Sequence, residues 1–238
     1  RHTRYIGDWS SDVCSSDLSL LTFSSEIKNT SWVNIDSSIY ELRIYSDNYF
    51  TVTKYNLQSK EFISTKGGFY SLDDRYYEVL EFNSEDSSSV GDTLYYSNIK
   101  IELKNDSGKM KIDGQKFTKN PNEDQLSGSW LMSGIERRGE MRMRDVNRPR
   151  KTMKILAGNR FQWIAYDISK KGFYGTGGGT YTAEDGKYVE NIEFFSRDSN
   201  TVGKSLEFNF ELKDGDWHHK GFSSKGDPKY EIWTQRKQ

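Results

Sequence analysis

Cysteine occurs once in the 238 residues, at Cys14, and proline only three times. A single thiol forms no internal disulfide and no paired zinc-thiolate site. So little proline leaves no room for a proline-rich linker. No apolar run approaches the roughly 20 residues that a membrane-spanning helix requires, so a soluble chain without a transmembrane segment is expected. Charge of one sign is lacking too: 35 acidic side chains face 34 basic ones, a formal net charge of −1. That balance gives no global sign of a nucleic-acid partner. Catalytic signatures are missing as well. There is no nucleophile elbow, phosphate loop, paired zinc motif or Cys/His arrangement, so no enzyme, metal or cofactor is expected. TGGG (176–179) sits inside a strand-like run and no helix follows it, which removes a phosphate-loop reading. Its glycines are expected to permit bending or close backbone approach.

What is present is a sequence stated twice. RYYEVLEFNSEDSSSVG (75–91) and KYVENIEFFSRDSNTVG (187–203) share nine of seventeen positions without a gap. Upstream, FTVTKYNLQSKEFISTKGGFY (50–70) matches FQWIAYDISKKGFYGTGGGTY (161–181) at a shift of 111. IELK (101–104) matches FELK (210–213), with three extra residues in the first copy, and TSWVNI (30–35) aligns with GSWLMS (128–133). One period sustained over a domain length indicates tandem copies. The expected domains are 19–125 and 126–238, divided in the polar stretch TKNPNEDQ. RHTRYIGDWSSDVCSSDL (1–18) resembles translated adapter sequence, so an artefactual or disordered leader is expected there, with the natural start missing and Cys14 foreign to the protein.

Each copy reads as strands and turns. LEFNFEL (206–212) alternates apolar and polar residues. Turn chemistry recurs at Ala157-Gly158-Asn159, Glu184-Asp185-Gly186, Lys213-Asp214-Gly215, Ser46-Asp47-Asn48 and Asp106-Ser107-Gly108. Strands in the second copy are expected to begin near Trp130, Thr152, Arg160, Gly172, Lys187, Lys204, Asp216 and Lys229. Eight antiparallel strands with short connections suit an all-β, up-and-down barrel in each copy, because closure removes exposed edges. A β-sandwich is the structural alternative.

Gly128-Ser129-Trp130, GGTY (178–181), YEIW (230–233), FQWIAYD, GKYVENIEF and DWHHKG together resemble lipocalin-like families of uncharacterised bacterial secreted proteins. The resemblance covers residues 126–238, and reaches the first copy only through the internal repeat. It implies a calycin-like barrel with an internal cavity, exported to the periplasm or cell surface, and it implies no reaction.

Strand parity nominates the interior. Tyr188, Glu190, Ile192 and Phe194 share one face, as do Tyr76, Glu78, Leu80 and Phe82 in the first copy. In DWHHKG, Trp217 and His219 point inward, His219 taking the place of Ile112. A carboxylate on an apolar face needs a partner, and His219 is the expected one for Glu190. Either that pair orients a ligand or Glu190 is satisfied by structural hydrogen bonds. Adjacent histidines diverge to opposite faces and lack a third ligand, which argues against a metal. The expected site is Phe161, Trp163, Tyr181, Tyr188, Glu190, Trp217 and His219, holding a small hydrophobic or anionic molecule in the second barrel; the alternative is an envelope interaction module whose barrels are filled and hold no internal ligand. IERRGEMRMRDVNRPR (135–150) lengthens one connection of the second copy, and Arg138, Arg142 and Arg144 are expected to form a lid over the mouth, or else a solvated loop. Residues 19–125 carry 12 basic and 17 acidic side chains, residues 126–238 carry 20 and 15, so nets of −5 and +5 favour docking of the two copies.

Overall fold

The computed structural model describes residues 26–72, 75–122 and 125–237. The leader at 1–18, Cys14 included, lies outside the described residues. Sheet A holds β1 (Thr30–Asp36), β2 (Ile39–Tyr45), β3 (Tyr49–Asn56), β4 (Glu61–Leu72), β5 (Tyr76–Asn83), β6 (Thr93–Tyr95), β7 (Ile99–Lys104), β8 (Ser107–Ile112) and β9 (Gln115–Lys119). Sheet B holds β10 (Gly128–Arg137), β11 (Glu140–Met143), β12 (Arg150–Ala157), β13 (Arg160–Asp167), β14 (Gly172–Glu184), β15 (Lys187–Phe195), β16 (Ser205–Lys213), β17 (Asp216–Phe222) and β18 (Pro228–Gln235). Both sheets are antiparallel, and the molecule is all-β with two tandem barrel-like units. No helix among the described residues is long and apolar enough to cross a membrane.

Pairing of β10 with both β12 and β18 closes sheet B into an eight-strand barrel, while β11 lies outside the ring as a flap hydrogen-bonded to the end of β10. Sheet A is curled but broken between β6 and β7. Those two short strands correspond to the single strand β16, and the break falls at Tyr96-Ser97-Asn98, where the first copy carries its extra residues. In sheet B one uninterrupted strand reaches both β15 and β17.

Local chemistry accounts for the hairpins. Asp185-Gly186 and Asp214-Gly215 take positive φ at both central positions, the mirror-image turn that matches strand twist. Asp106-Ser107-Gly108 departs from the expected turn: the chain reverses at Asn105-Asp106, and Ser107 already opens β8. Gly108 serves packing instead, since a Cβ there would lie 3.1 Å from the Trp32 ring.

A bulge corrects the parity assignment in β15. The register slips where Gly178 and Gly179 face Phe194 and Ile192, leaving Glu193 as the extra residue. Tyr188, Glu190 and Ile192 therefore face inward, whereas Phe194 turns outward and Phe195 takes the inner side. The first copy repeats the slip between Gly67 and Gly68, so Phe82 also leaves the interior set.

Three apolar clusters result. One fills the first barrel around Trp32, Tyr45, Phe50 and Tyr76. Another lies within the second barrel around Trp130, Tyr188, Phe208 and Trp217. The third gathers the outer faces of β2–β3 and β12–β13, with Leu42, Ile44, Tyr49 and Tyr55 against Met153, Ile155, Ile164 and Tyr166.

Candidate functional site

The second barrel is packed at one end and hollow at the other. Its closed end lies beside the tight turns at 158–159, 185–186 and 214–215. Leu126, Trp130, Leu156, Phe161, Tyr181, Tyr188 and Trp217 fill that end, all buried. The opposite end, below the loops at 144–149, 196–204 and 223–227, opens into a cavity of about 700 Å³. That volume falls within the roughly 300–1,000 Å³ of small-molecule pockets.

The cavity has three levels. Its rim is basic, with Arg137, Arg144, Arg148, Arg150, Lys151 and Arg197 against Asp145. Below the rim the wall is apolar: Leu131, Met132, Ile135, Trp163, Ile192, Phe195 and Leu206. The floor is a charged belt at the barrel's waist, comprising Lys154, Glu190, Lys229 and Glu231 beside Phe208 and Trp233.

The belt is built from strand neighbours. Lys154 Nζ donates to Glu190 Oε1 at 2.6 Å, and both side chains are almost wholly buried. Tyr188 and Trp217 rings lie 4.9 Å from that ammonium and Trp233 at 5.2 Å, a cage of π faces. Burial pulls the Lys154 amine below its usual value against the opposing pull of Glu190. Burial also works against the Glu190 charge, but Lys154 and His219 outweigh it and hold the carboxyl below the usual carboxylate range. His219 Nδ1 lies 3.4 Å from Glu231 Oε2, and Lys229 Nζ lies 3.1 Å from Glu231 Oε1. Burial and nearby Lys154 depress His219 to about 4. Burial raises Glu231, but Lys229 and His219 prevail and bring it to about 2. The waist thus holds two lysine–glutamate contacts, Lys154–Glu190 and Lys229–Glu231, and an imidazole that burial keeps neutral at pH 7.

The expected partnership of Glu190 with His219 is corrected here. Both point into the barrel, but each pairs elsewhere, Glu190 with Lys154 and His219 with Glu231. Among the nominated residues, Trp163, Glu190 and Arg144 line the cavity. Phe161, Tyr181, Tyr188 and Trp217 belong to the packed end and His219 to the waist behind the floor. Arg138 and Arg142 are exposed on the β10–β11 flap, Arg138 within its turn, and neither reaches the cavity. Burial lowers the Arg144 guanidinium, and neighbouring Arg137 and Arg150 add to that effect, so the rim is a crowd of like charge.

Lys154 and Glu231 escaped the sequence reading, although the repeat marks the first. At the shift of 111, Lys154 corresponds to Arg43, and Arg43 Nη1 donates to Glu78 Oε1 at 2.8 Å. The buried cation–glutamate pair is therefore duplicated. Its surroundings are not. Glu78 also accepts from Tyr76 at 2.7 Å and Tyr96 at 2.5 Å, and Tyr45 hydrogen-bonds Tyr76. Leu156 stands where the first copy has Tyr45. Tyr188 feels the Glu190 charge but, among the described residues, makes no hydrogen bond of acceptable geometry.

Residues 125–238 match the family described as a domain of unknown function (DUF4488), which covers the second barrel and just under half of the chain. No curated protein matches the chain.

Proposed function

We propose that this protein is a non-enzymatic carrier or sensor of a small amphipathic anion, held in the second barrel, and that it works in the periplasm or outside the cell. The observation that carries the reading is the layered cavity: an apolar wall beneath a rim whose arginines outnumber their acidic partners. An apolar tail gains by leaving water for that wall, and an anionic head relieves repulsion among Arg137, Arg144 and Arg150. Export is the part that rests on the lipocalin-like resemblance alone. The first barrel acts as a support in this reading, since its interior glutamate is already satisfied by Arg43, Tyr76 and Tyr96. Docking of the two barrels through their aromatic outer faces completes it.

Arg150 and Lys154 are four residues apart on β12, about 13 Å of strand from rim to waist. A medium-chain fatty carboxylate such as decanoate therefore suits the depth. Titration followed by intrinsic tryptophan fluorescence should show saturable decanoate binding that weakens as salt is added, and weaker binding of decanol. Replacing Arg137, Arg144 and Arg150 together with Gln should remove the preference for the acid. Absence of saturable binding across a chain-length series of carboxylates would sink the reading.

A further inference from the structure

The floor of the cavity holds N–H groups that meet no acceptor among the described residues. Lys154 Nζ has three N–H groups and, among the described residues, one hydrogen-bond acceptor, Glu190; its other neighbours are ring faces. Trp233, 1% exposed and part of the same lining, has an Nε1–H with no partner among the described residues. Among the described residues, Trp217 Nε1 and His219 Nε2 are also buried without partners just behind it. The equivalent layer of the first barrel is closed by tyrosine hydroxyls on Glu78. Buried polar groups are normally paired, so a cluster of orphans beside a cavity points to what the cavity receives.

Deepening the reading of an amphipathic anion, on which it rests, we infer that the floor of the second barrel recognises a neutral oxygen at the far end of the ligand, a hydroxyl or carbonyl accepting from Lys154 Nζ and Trp233 Nε1. The ligand class is then an acid with its carboxylate at the arginine rim and an oxygen at the opposite end of its alkyl chain. Charge bookkeeping selects the neutral group. Lys154 offsets Glu190 and Lys229 offsets Glu231, so a second carboxylate would bring a buried charge with no free counter-ion. A plain alkyl end leaves both donors unsatisfied. The specificity expected is ω-hydroxy acid first, plain acid second, dicarboxylate last.

The test uses the full chain and three probes of equal length: decanoate, its ω-hydroxy derivative and the corresponding dicarboxylate, titrated by calorimetry at one salt concentration. One neutral hydrogen bond corresponds to roughly fivefold in affinity, so the ω-hydroxy acid should bind about fivefold more tightly than decanoate, and the dicarboxylate more weakly than either. On the Trp233→Phe variant, checked for an unchanged near-ultraviolet spectrum, the gap between the first two affinities should narrow, with Lys154 Nζ alone left to donate. Equal affinities for decanoate and its ω-hydroxy derivative, or a preference for the dicarboxylate, would overturn the inference while leaving the anion-binding reading intact. If none of the three binds, both fall. The wild-type series decides the matter even where the variant does not fold.

Discussion

His219 shows how one side chain ties the site to solution conditions. Its imidazole protonates near 6.5 in an unfolded chain but only at about 4 in the folded barrel. Between those values the unfolded state binds more protons, so stability falls as pH drops from 6.5 toward 4, by at most about 3 kcal/mol. Glu231 continues the loss: ionised in the fold down to about 2 against 4.5, it weakens the fold as pH falls through that lower window. Urea midpoints measured across this range should therefore decline steadily in acid. In His219→Leu, which restores the aliphatic character of Ile112 at this position, the decline between 6.5 and 4 should flatten while the part below 4 persists. Parallel curves for the two proteins would remove His219 from the account. Alternation alone located His219 and Glu190 inside. Their partners were harder to see, because a pair such as Lys154–Glu190 joins strands 36 residues apart, and only the correspondence with Arg43 and Glu78 reveals it.

Strand starts were the most legible elements. Those of β13, β14, β15 and β17 fall on the residues expected, since Asp-Gly and Gly-Asn turns and period-two alternation act over a few residues. Bulges were not legible, because alternation counts residues and a bulge breaks the count. The slip at Glu193 sends Phe194 out of the barrel and brings Phe195 against Trp163, with ring centroids 5.4 Å apart. Close approach of backbones allows it: a Cβ on Gly179 would sit 2.0 Å from the Asn191 carbonyl oxygen, and one on Gly68 would sit 1.8 Å from that of Val79. The obstacle in each case is backbone rather than a mobile side chain. Gly179→Ala should thus cost about 1–3 kcal/mol in chemical denaturation and, by disturbing Phe195, weaken ligand binding. A neutral result would mean that the strand accommodates the methyl without moving the bulge. The arginine segment, expected as a lid or a solvated loop, splits into the β10–β11 flap and a loop; only Ile135, Arg137 and the part near Arg144–Arg150 reach the cavity.

At the scale of the molecule the duplication reappears in how the barrels meet. The two bulge glutamates correspond, Glu81 to Glu193, and so do Tyr55 and Tyr166. Tyr55 Oη donates to Glu193 at 2.6 Å, and Tyr166 Oη donates to Glu81 at 2.6 Å. Each barrel thus offers a tyrosine to the other's glutamate, the reciprocity of a two-fold contact between non-identical halves. The apolar partners follow the same rule, with Leu42 and Ile44 of β2 corresponding to Met153 and Ile155 of β12. Asymmetry enters through Arg236, which donates to Glu81 at 2.6 Å and to Tyr166 at 3.0 Å, while Arg160 serves Glu193. A face of this kind is complementary to itself. Residues 126–238 expressed alone would expose Met153, Ile155, Ile164, Tyr166 and Phe194, a patch too apolar to stay in water. They should bury it against a second copy, with Tyr166 reaching Glu193 in both directions. The net charge of +5 on that half opposes the association, so added salt should strengthen it. Sedimentation should show a dimer that Glu193→Lys dissociates, whereas the full chain stays monomeric because its first barrel already occupies the face. A monomeric fragment that melts at the temperature of the whole chain would show that the outer faces contribute nothing to holding the barrels together.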